Sequence, residues 1–250
     1  MKVSVSIVTY NSIDDIDSCL ASFSKLEGTD FVLYVVDNAS SDGTAEHVES
    51  AYPWVRLIRS ERNVGFGAAH NMVIKQIDSD CHIIVNPDIT LDASQIPLMA
   101  KCLEENPDIV LITPKVLNPD GTMQYLPKRR PTVRYLMSGF LEKRSERFRR
   151  IREEYTMKDV LGDVNVDVDF CTGCFMFVRT SALKECGGFD ERYFLHFEDA
   201  DLTRMLQRIG RTVYMPCFTV THAWHRDNSR LGKVFFISIE SMFRYFMKWR

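Results

Sequence analysis

Residues 31–43, FVLYVVDNASSDG, are the part of the sequence that indicates the fold class most clearly. Phe31 to Val36 is an uninterrupted apolar run, which is typical of a strand buried on both faces of a parallel sheet. The polar residues from Asp37 onward predict a loop, and a short helix is predicted from Thr44 to Ala51. An apolar strand, a polar loop and a helix in this order make up the repeating unit of an α/β fold.

The same alternation of strand and helix extends over residues 1–115. Val3 to Thr9 is a β-branched run that predicts the first strand, and Ser12 is expected to cap a helix that ends at Gly28. Further strands are predicted over residues 55–58, 82–85 and 109–113, and further helices over 68–77 and 94–105. Strands that alternate with helices predict βαβ units, and therefore a doubly wound, mostly parallel sheet flanked by helices.

The pattern changes after Pro114. Asn118 to Gly121 predicts a hairpin turn, and residues 128–152, rich in Lys and Arg with interleaved Leu and Phe, predict a helical insertion or a mobile segment. Short strands are predicted over residues 166–170, 175–178, 212–215 and 219–221, and helices over 198–209 and 234–249. No linker separates this mixed half from the first, so we expect a single domain over residues 1–250.

The composition excludes several classes of protein. The chain has 250 residues, of which 45% are hydrophobic and 26% charged, and its net charge of −3 argues against a strongly basic nucleic-acid binder. No stretch approaches 18 uncharged apolar residues, so no membrane-spanning helix is expected, and the N-terminal run alternates too much for a signal peptide. Seven scattered cysteines favour a reducing cytosol over a disulfide framework.

Polar and acidic side chains follow three of the predicted strands where each strand ends. They are Thr9, Tyr10 and Asn11 after the first strand, Asp37 after the second, and Asn86 and Asp88 after the fourth. Ligands of open α/β sheets bind beyond the carboxyl ends of the strands, so two acids at this edge favour a site over ordinary Asx-turns. Asp37 could accept a hydrogen bond from a base, and Asp88 could bind Mg²⁺ or Mn²⁺, which prefer oxygen ligands. Together they predict a nucleoside diphosphate as the ligand.

A second cluster, Glu198, Asp199 and Asp201, stands at the start of a predicted helix. Acids in the first turn are stabilised by the helix dipole, and Asp201 with Arg204 has the spacing of a surface ion pair, so a purely structural role is one interpretation. The functional interpretation is a carboxylate base at the mouth of the site, with Asp199 as the candidate.

A third cluster, His222 and His225, follows a short predicted strand and precedes Arg226 and Arg230. Such a group could bind a metal or a phosphate, whereas a single histidine in this position is usually structural.

These residues carry a family resemblance. The matching segments, in chain order, are residues 5–11 (VSIVTYN), 35–43 (VVDNASSDG), 63–71 (NVGFGAAHN), 86–88 (NPD), 173–179, 187–190 (GGFD), 198–202 (EDADL) and His222. Each segment alone is weak, but the ordered set over residues 3–230 resembles the family 2 inverting glycosyltransferases of the GT-A fold, and most closely their bacterial rhamnosyltransferase-like branch. The resemblance implies one Rossmann-like, mostly parallel sheet flanked by helices, with a mixed acceptor-side C-terminal half.

The resemblance also implies a division of the chain and a donor site. Residues 1–115 would bind the nucleotide sugar, 116–231 would form the acceptor and catalytic half, and 232–250 would be a C-terminal amphipathic helix. The implied nucleotide-binding residues are Thr9, Tyr10, Asn11, Asp37, Asn63, Gly65, Asn71 and Asn86. Asp37 would contact a uracil- or thymine-type base, and the donor would be dTDP-rhamnose or a UDP-sugar.

The remaining implied roles concern the reaction. Asp199 would be the general base, while Glu198, Asp201 and Gly173 would lie on the acceptor side or support it. Asp88 would hold Mg²⁺ or Mn²⁺ against the donor diphosphate, with His222 as a further ligand. The family motif is often Asp-x-Asp, and Asn86 in its first position leaves Asp88 as the one carboxylate there.

The resemblance further implies an acceptor that is a glycan or lipid-linked glycan of the cell envelope. The basic run from Lys143 to Arg152 and the aromatic, basic last helix suggest peripheral contact with the inner face of the cell membrane, since basic amphipathic stretches bind anionic lipid surfaces. In the alternative interpretation the aromatic side chains pack on the sheet and the charges are solvated. The implied location is therefore the cytoplasm or its membrane surface, with no nucleic-acid partner.

Three rival functions remain open at this point. Gly65-x-Gly67-x-x-His70 fails the dinucleotide-binding pattern at its third glycine and follows the wrong strand, which disfavours an oxidoreductase. Cys171-x-x-Cys174 with His222 and His225 lacks the second cysteine pair of a compact zinc site, and buried free thiols explain it better. A non-catalytic nucleotide-sugar-binding or regulatory protein is the alternative that the presence of both Asp88 and Asp199 argues against.

Overall fold

A computed structural model describes residues 1–24, 26, 30–224 and 231–250 of the chain. The strands are β1 (Val3–Thr9), β2 (Phe31–Asp37), β3 (Arg56–Arg59), β4 (Cys81–Val85), β5 (Ile89–Leu91), β6 (Ile109–Leu117), β7 (Met123–Gln124), β8 (Val166–Asp167), β9 (Phe175–Arg179) and β10 (Arg211–His222). The helices are α1 (Ile16–Phe23), α2 (Thr44–Ala51), α3 (Phe66–Ile74), α4 (Gln95–Glu105), α5 (Val133–Leu141), α6 (Glu146–Tyr155), α7 (Thr180–Glu185), α8 (Glu198–Leu206) and α9 (Leu231–Lys248).

One mixed sheet connects the strands in the order β3-β2-β1-β4-β9-β6-β10-β5, with β7 on β6 and β8 on β10. β1 pairs in parallel with β2 and β4, β2 pairs in parallel with β3, and β6 pairs in parallel with β10. β9 lies antiparallel between β4 and β6. The predicted α/β sheet, mostly parallel in its first half and mixed in its second, is therefore confirmed.

Helices cover both faces of the sheet because successive side chains of a strand point to opposite faces. Val5 and Ile7 of β1 belong to the same buried cluster as α1, α2 and α4 residues, whereas Val8 packs with Ala69 and Val73 of α3 on the other face. Every residue of β1 is buried. Double-sided burial explains why β2 is an uninterrupted apolar run, and the parallel pairing of β1, β2 and β4 fixes the edge at which their carboxyl ends meet.

Several element boundaries differ from the predicted ones. Helix α1 begins at Ile16 because the Ser12 hydroxyl accepts a hydrogen bond from the Tyr10 amide, 3.3 Å away, and does not cap the helix; its predicted end, Gly28, lies outside the described residues. The two strands predicted over 212–215 and 219–221 form the single strand β10, with a register shift between Met215 and Thr219. Pro216, which has no N–H to donate, occupies this irregularity.

The structure also has elements that the sequence pattern does not show. They are the short strands β5 and β7, which contain three and two residues, and the six-residue helix α7. The predicted strand over 166–170 shortens to β8 with an isolated bridge between Lys128 and Phe170. Residues 128–152 contribute α5 and most of α6, as the predicted helical insertion. In the part of the chain that the structure describes, no helix is long and apolar enough to cross a membrane.

Candidate active site

Asp37 and Thr9 lie side by side where β1 and β2 end. The two residues are partners in the parallel register, and the Thr9 hydroxyl donates to Asp37 Oδ1 over 3.1 Å. The Ser40 amide donates to Asp37 Oδ2 over 3.0 Å, and Asp37 is only 3% exposed. Two donors therefore hold a buried carboxylate at the sheet edge, in the place where the sequence predicts a contact with the base.

Asn11 shapes the loop beside this carboxylate. Its φ of +55° is in the left-handed region, and its Oδ1 accepts from the Ser41 amide over 2.8 Å. Its own amide donates to the Ser40 hydroxyl over 2.9 Å. Tyr10, the neighbouring residue, is 39% exposed. The predicted nucleotide-binding loop after β1 is thus tied to the loop after β2.

Asn63 and Gly65 form the turn that leads into α3. Asn63 Oδ1 accepts from the Gly65 amide over 3.0 Å and from Asn38 Nδ2 over 3.0 Å. Gly65 has a φ of +91°, and a Cβ there would lie 2.4 Å from the Phe194 carbonyl oxygen. Only glycine allows this close approach, which brings the first half of the chain against the segment that precedes α8.

Asn71, which the resemblance implies for the ribose and diphosphate side, is bonded to the segment that follows α7. Its Oδ1 accepts from the Phe189 amide over 2.9 Å, while its Nδ2 donates to the Phe189 carbonyl over 2.8 Å and to Glu191 over 2.9 Å. The side chain is buried, and both of its N–H groups are used in these contacts. Asn71 therefore fastens residues 188–191 to α3.

Asp88 and His222 form a pair near the sheet edge, although they come from distant parts of the chain. His222 Nε2 lies 3.2 Å from Asp88 Oδ2, and the two side chains are 8% and 15% exposed. Asp88 Oδ1 is buried and has no hydrogen-bond partner among the residues that the structure describes. A buried carboxylate oxygen without a partner has lost its hydration, and a cation or a proton bound there would compensate for this loss.

Gln124 sets the tautomer of His222. Its Nε2 donates to the His222 carbonyl over 2.9 Å and to Asn118 Oδ1 over 2.7 Å, so its Oε1 is left as the acceptor for His222 Nδ1 at 3.0 Å. With Nδ1 donating to Gln124, Nε2 donates to the Asp88 carboxylate when it is protonated, and it can share a cation with that carboxylate when it is not. Histidines that bind metals usually donate their other N–H in this way, so the residues present fit a divalent cation.

The protein supplies only part of a coordination shell here. No group of three or more His, Cys, Asp or Glu side chains that could hold a metal occurs within residues 1–24, 26, 30–224 and 231–250. Mg²⁺ and Mn²⁺ are commonly held by one or two protein ligands together with substrate phosphates and water. The Asn86 backbone is engaged within the protein, since its amide donates to the Cys174 carbonyl over 3.0 Å and its carbonyl accepts from the Ile89 amide over 3.3 Å.

Asp199 lies in the first turn of α8, after two strained residues. His196 and Phe197 both have left-handed φ values, +67° and +68°, although neither is glycine. Asp199 Oδ2 accepts from the Gly173 amide over 3.0 Å, and Oδ1 accepts from the Ala200 amide over 2.9 Å. Backbone strain of this kind concentrates at functional sites, where the surrounding structure holds it in place.

Glu198 and Asp199 have different protonation preferences. Glu198 is 5% exposed and its Oε2 has no hydrogen-bond partner in the described part of the chain, so burial, together with the charge of Asp199, raises its pKa well above the usual value. Burial also raises the pKa of Asp199, but Lys128 and the Gly173 and Ala200 amides oppose this change. The pair therefore favours a proton on Glu198 and a charge on Asp199.

Lys128 is a site residue that the sequence prediction missed. Its ammonium lies 4.8 Å from the centre of the Phe170 ring and 5.9 Å from that of Tyr155, and burial lowers its pKa while the charge of Asp199 raises it. In the sequence it is one of ten cations between residues 128 and 152, with nothing to distinguish it. Only the backbone bridge to Phe170 brings it close to Asp199.

Asp201, predicted to lie on the acceptor side or to support the site, is engaged with the C-terminal residues. It is fully buried and accepts hydrogen bonds from Lys248 Nζ over 2.7 Å and from Trp249 Nε1 over 2.6 Å. Arg204 does not form the predicted surface pair with it, but places its guanidinium 4.4 Å from the centre of the Trp249 ring. Two residues along a helix turn by about 200°, so Asp201 points away from Asp199, and its hydrogen bonds anchor α9.

The zinc interpretation of the two neighbouring cysteines gains no support. Cys171 and Cys174 are buried, and burial raises the pKa of the Cys174 thiol to about 12 and that of Cys171 well above its usual value. Buried thiols of this kind are what the interpretation as free cysteines expects. His225, the other proposed ligand, lies outside the described residues, and His222 is paired with Asp88.

Known proteins resemble this chain in sequence and in fold. The family described as Glycosyl transferase family 2 matches residues 4–187 of the chain. The N-acetylglucosaminyl-diphospho-decaprenol L-rhamnosyltransferase of Mycobacterium tuberculosis is 29% identical over 241 residues, which are 90% of this chain and 76% of that protein.

Solved structures share the fold at lower identity. S. aureus TarS 1–349 in complex with UDP-GlcNAc has a TM-score of 0.63 at 21% identity, and the match covers 93% of this chain and 61% of that one. GalNAc-T7 with UDP, GalNAc and Mn²⁺ has a TM-score of 0.66 at 14% identity, covering 91% of this chain and 44% of the other. At these identities the likeness shows the fold alone, and it confirms the predicted fold class.

Proposed function

We propose that this chain, which belongs to glycosyl transferase family 2, transfers a sugar from a nucleoside-diphosphate donor to an acceptor hydroxyl. The transfer would invert the configuration of the sugar. The Mycobacterium tuberculosis relative is named as an L-rhamnosyltransferase of N-acetylglucosaminyl-diphospho-decaprenol, which favours rhamnose as the transferred sugar and a lipid-linked glycan as the acceptor. The family resemblance favours dTDP-rhamnose as the donor, with UDP-sugars next. Residues 1–115 would bind the donor, and residues 116–231 would complete the catalytic and acceptor side.

One observation carries this proposal: a base candidate and a cation-binding pair lie on the two sides of the segment 171–174. Gly173 donates to Asp199, and Cys174 accepts from the Asn86 amide two residues before Asp88. The charges of Asp88 and Asp199 both raise the pKa of Cys174, which lies near each of them. A nucleotide binder without activity would need the cation-binding pair, Asp88 and His222, but it would not need a positioned, ionised base.

The donor would bind along the sheet edge. Asp37, held by Thr9 and Ser40, would accept an N–H of the pyrimidine base. The Asn63–Gly65 turn would border the ribose and diphosphate, and Asp88 with His222 would hold Mg²⁺ or Mn²⁺. When bound, such a cation would stabilise the charge that develops on the leaving diphosphate.

The chemistry of this chain's own residues centres on Asp199. Its ionised carboxylate would remove the proton of the acceptor hydroxyl as that oxygen bonds to the anomeric carbon. The bond between this carbon and the diphosphate oxygen breaks on the opposite face, so the configuration inverts. Lys128 and the Gly173 amide would keep Asp199 ionised, and Glu198 would keep a proton and so avoid a second charge beside it.

Replacing Lys128 by Met is expected to move the acid limb of the pH–rate profile to higher pH. Lys128 lowers the pKa of Asp199, so its removal raises that pKa, and the active ionised form is then lost sooner as the pH falls. Measuring kcat/KM against pH should show activity several-fold below wild type on the acid limb and a recovered plateau at high pH. Lys128→Arg, which keeps the charge, should restore the limb. A uniform loss at every pH in Lys128→Met would contradict this role.

The proposed function is tested by thermal denaturation with UDP, dTDP, GDP and NAD, each with and without Mn²⁺. A ligand at 100 times its Kd adds about 2.7 kcal/mol to the free energy of unfolding. We expect Mn²⁺-dependent stabilisation by dTDP or UDP, and little by GDP or NAD. Release of dTDP or UDP from the sugar nucleotide when acceptor is added would then separate transfer from binding alone. Stabilisation by NAD, or by no nucleotide at all, would overturn the proposal.

A further inference from the structure

Helix α5 has an apolar stripe that faces solvent. Val133, Met137 and Phe140 are 64%, 50% and 70% exposed, and their spacing of four and three residues puts them on one side of the helix. The opposite side packs on α6 through Tyr135, whose ring stacks on Tyr155 with centroids 5.1 Å apart. The stripe is therefore a surface of the folded pair, and not a core face that α6 covers.

Cations continue directly from this stripe. Residues 128–152 contain ten Lys and Arg but only two Glu, a net charge of +8 in a chain whose total is −3. Most of these cations have carboxylate partners, such as Arg134 with Glu154 at 3.0 Å. No ion pair involves Lys143, Arg144 or Arg147 among the residues that the structure describes, and all three are exposed at the α5–α6 junction.

Helix α9 offers a useful contrast. Phe236 and Phe243 are 73% and 63% exposed, so α9 also has an apolar surface. Two of its described cations are engaged, since Arg244 pairs with Glu240 at 2.8 Å and Lys248 with Asp201 at 2.7 Å. Apolar area and unpaired positive charge therefore coincide on α5 and its junction with α6, but not on the described part of α9.

The α5–α6 pair is also connected to the candidate active site. The Arg129 amide donates to the Tyr155 carbonyl at the end of α6 over 2.9 Å, and the Tyr155 ring lies against the Lys128 ammonium. A surface that binds α5 would therefore lie close along the chain to Lys128, whose charge lowers the pKa of Asp199.

We propose that the α5 stripe and the cations at 143, 144 and 147 dock on an anionic lipid surface. Apolar side chains would enter the interface while the three cations attract the headgroups, which is the binding mode of amphipathic interfacial helices. This inference rests on the proposed function in one respect: docking here would bring the site to an acceptor carried by lipid. The occupant is an anionic lipid surface, because such a surface offers both an apolar interior for the stripe and negative headgroups for the three cations.

The test is co-flotation of the whole chain with phosphatidylcholine vesicles, with and without phosphatidylglycerol. We expect binding only to the anionic vesicles, weakened by high salt. Replacing Lys143, Arg144 and Arg147 together by Gln should weaken it about 100-fold, because each cation near such a surface contributes about 1 kcal/mol. Met137→Glu with Phe140→Glu should weaken it about 10-fold or more.

A matched control uses the other exposed apolar surface. Phe236→Glu with Phe243→Glu makes the same change on α9 and should leave vesicle binding intact. The inference would be overturned if the protein did not bind anionic vesicles, or if binding were lost in the α9 variant but not in the α5 variant. A dimer in solution that only the α5 variant dissociates would also overturn it. Stabilisation by dTDP or UDP with Mn²⁺, measured on the same samples, reports separately on the proposed function and on folding.

Discussion

Replacing Asp199 by Asn is expected to lower kcat for sugar transfer by about 10²–10⁴-fold, the usual contribution of a positioned general base. The amide has nearly the shape of the carboxylate and can still accept from the Gly173 amide, but it cannot take a proton from the acceptor hydroxyl. Since Asp37, Asp88 and His222 are untouched, Mn²⁺-dependent stabilisation by the nucleotide should remain at the wild-type level. Initial rates of nucleotide release, measured beside thermal denaturation, check both expectations.

Glu198→Gln is the comparison that identifies the base. It makes the same chemical change one residue away, at a carboxyl group that burial already keeps protonated. Its loss of transfer should therefore be much smaller than that of Asp199→Asn. Near-normal turnover in Asp199→Asn, together with a large loss in Glu198→Gln, would transfer the role of base to Glu198.

Replacing Asp88 by Asn is expected to remove most of the metal dependence of donor binding. Asp88 is the one carboxylate of the proposed cation site, and its buried Oδ1 has no hydrogen-bond partner in the described chain. A cation at a developing diphosphate charge contributes several kcal/mol, so kcat/KM should fall by about 100-fold or more. Titration of Mn²⁺ against nucleotide affinity would show the response flattened in the variant.

Two further variants sharpen this test. Asp80→Asn alters a carboxylate at the opposite end of β4, where Asp80 accepts from the Lys2 amide over 2.7 Å, and it should keep the full Mn²⁺ response. Gln124→Ala removes the acceptor that orients His222 and should weaken metal binding by about 10–100-fold, as loss of such a supporting hydrogen bond typically does. A wild-type Mn²⁺ response in Asp88→Asn would show that the cation, if any, binds elsewhere.

The sequence predicts the parallel half of the fold well. Four elements lie within one residue of their predicted bounds, namely β1, β2, β4 and α2. Each of them is marked by residues that are adjacent in the sequence, such as the apolar run of the buried parallel strand β2. The elements that it misses, β5, β7 and α7, are too short to show a period. They form because longer neighbours are already in place to pair or pack with them, such as β10 beside β5.

For the site, the sequence identifies residues better than it assigns their contacts. The sequence predicts Asp37, Asp88 and Asp199 as candidate site residues from their positions. The first two follow a strand, and Asp199 stands in the first turn of a helix. Asn71 and Asp201 carry equally good motif positions, yet their side chains fasten other segments of the fold. A motif gives a residue's place along an element, but the direction of its side chain depends on what packs against that element.

Short, local patterns are enough to predict the alternation of strands and helices in the first half of the chain, the polar residues that gather at one edge of the sheet, and the family to which the ordered motifs belong. Contacts between distant segments depend on the tertiary structure: His222 faces Asp88, and the charge of Lys128 acts on Asp199. The same holds for the burial of Asp201 against Lys248 and Trp249. The first contact is made by the pairing of β10 with β5 and the second by the bridge at Phe170, and such contacts between distant residues leave no local pattern to read.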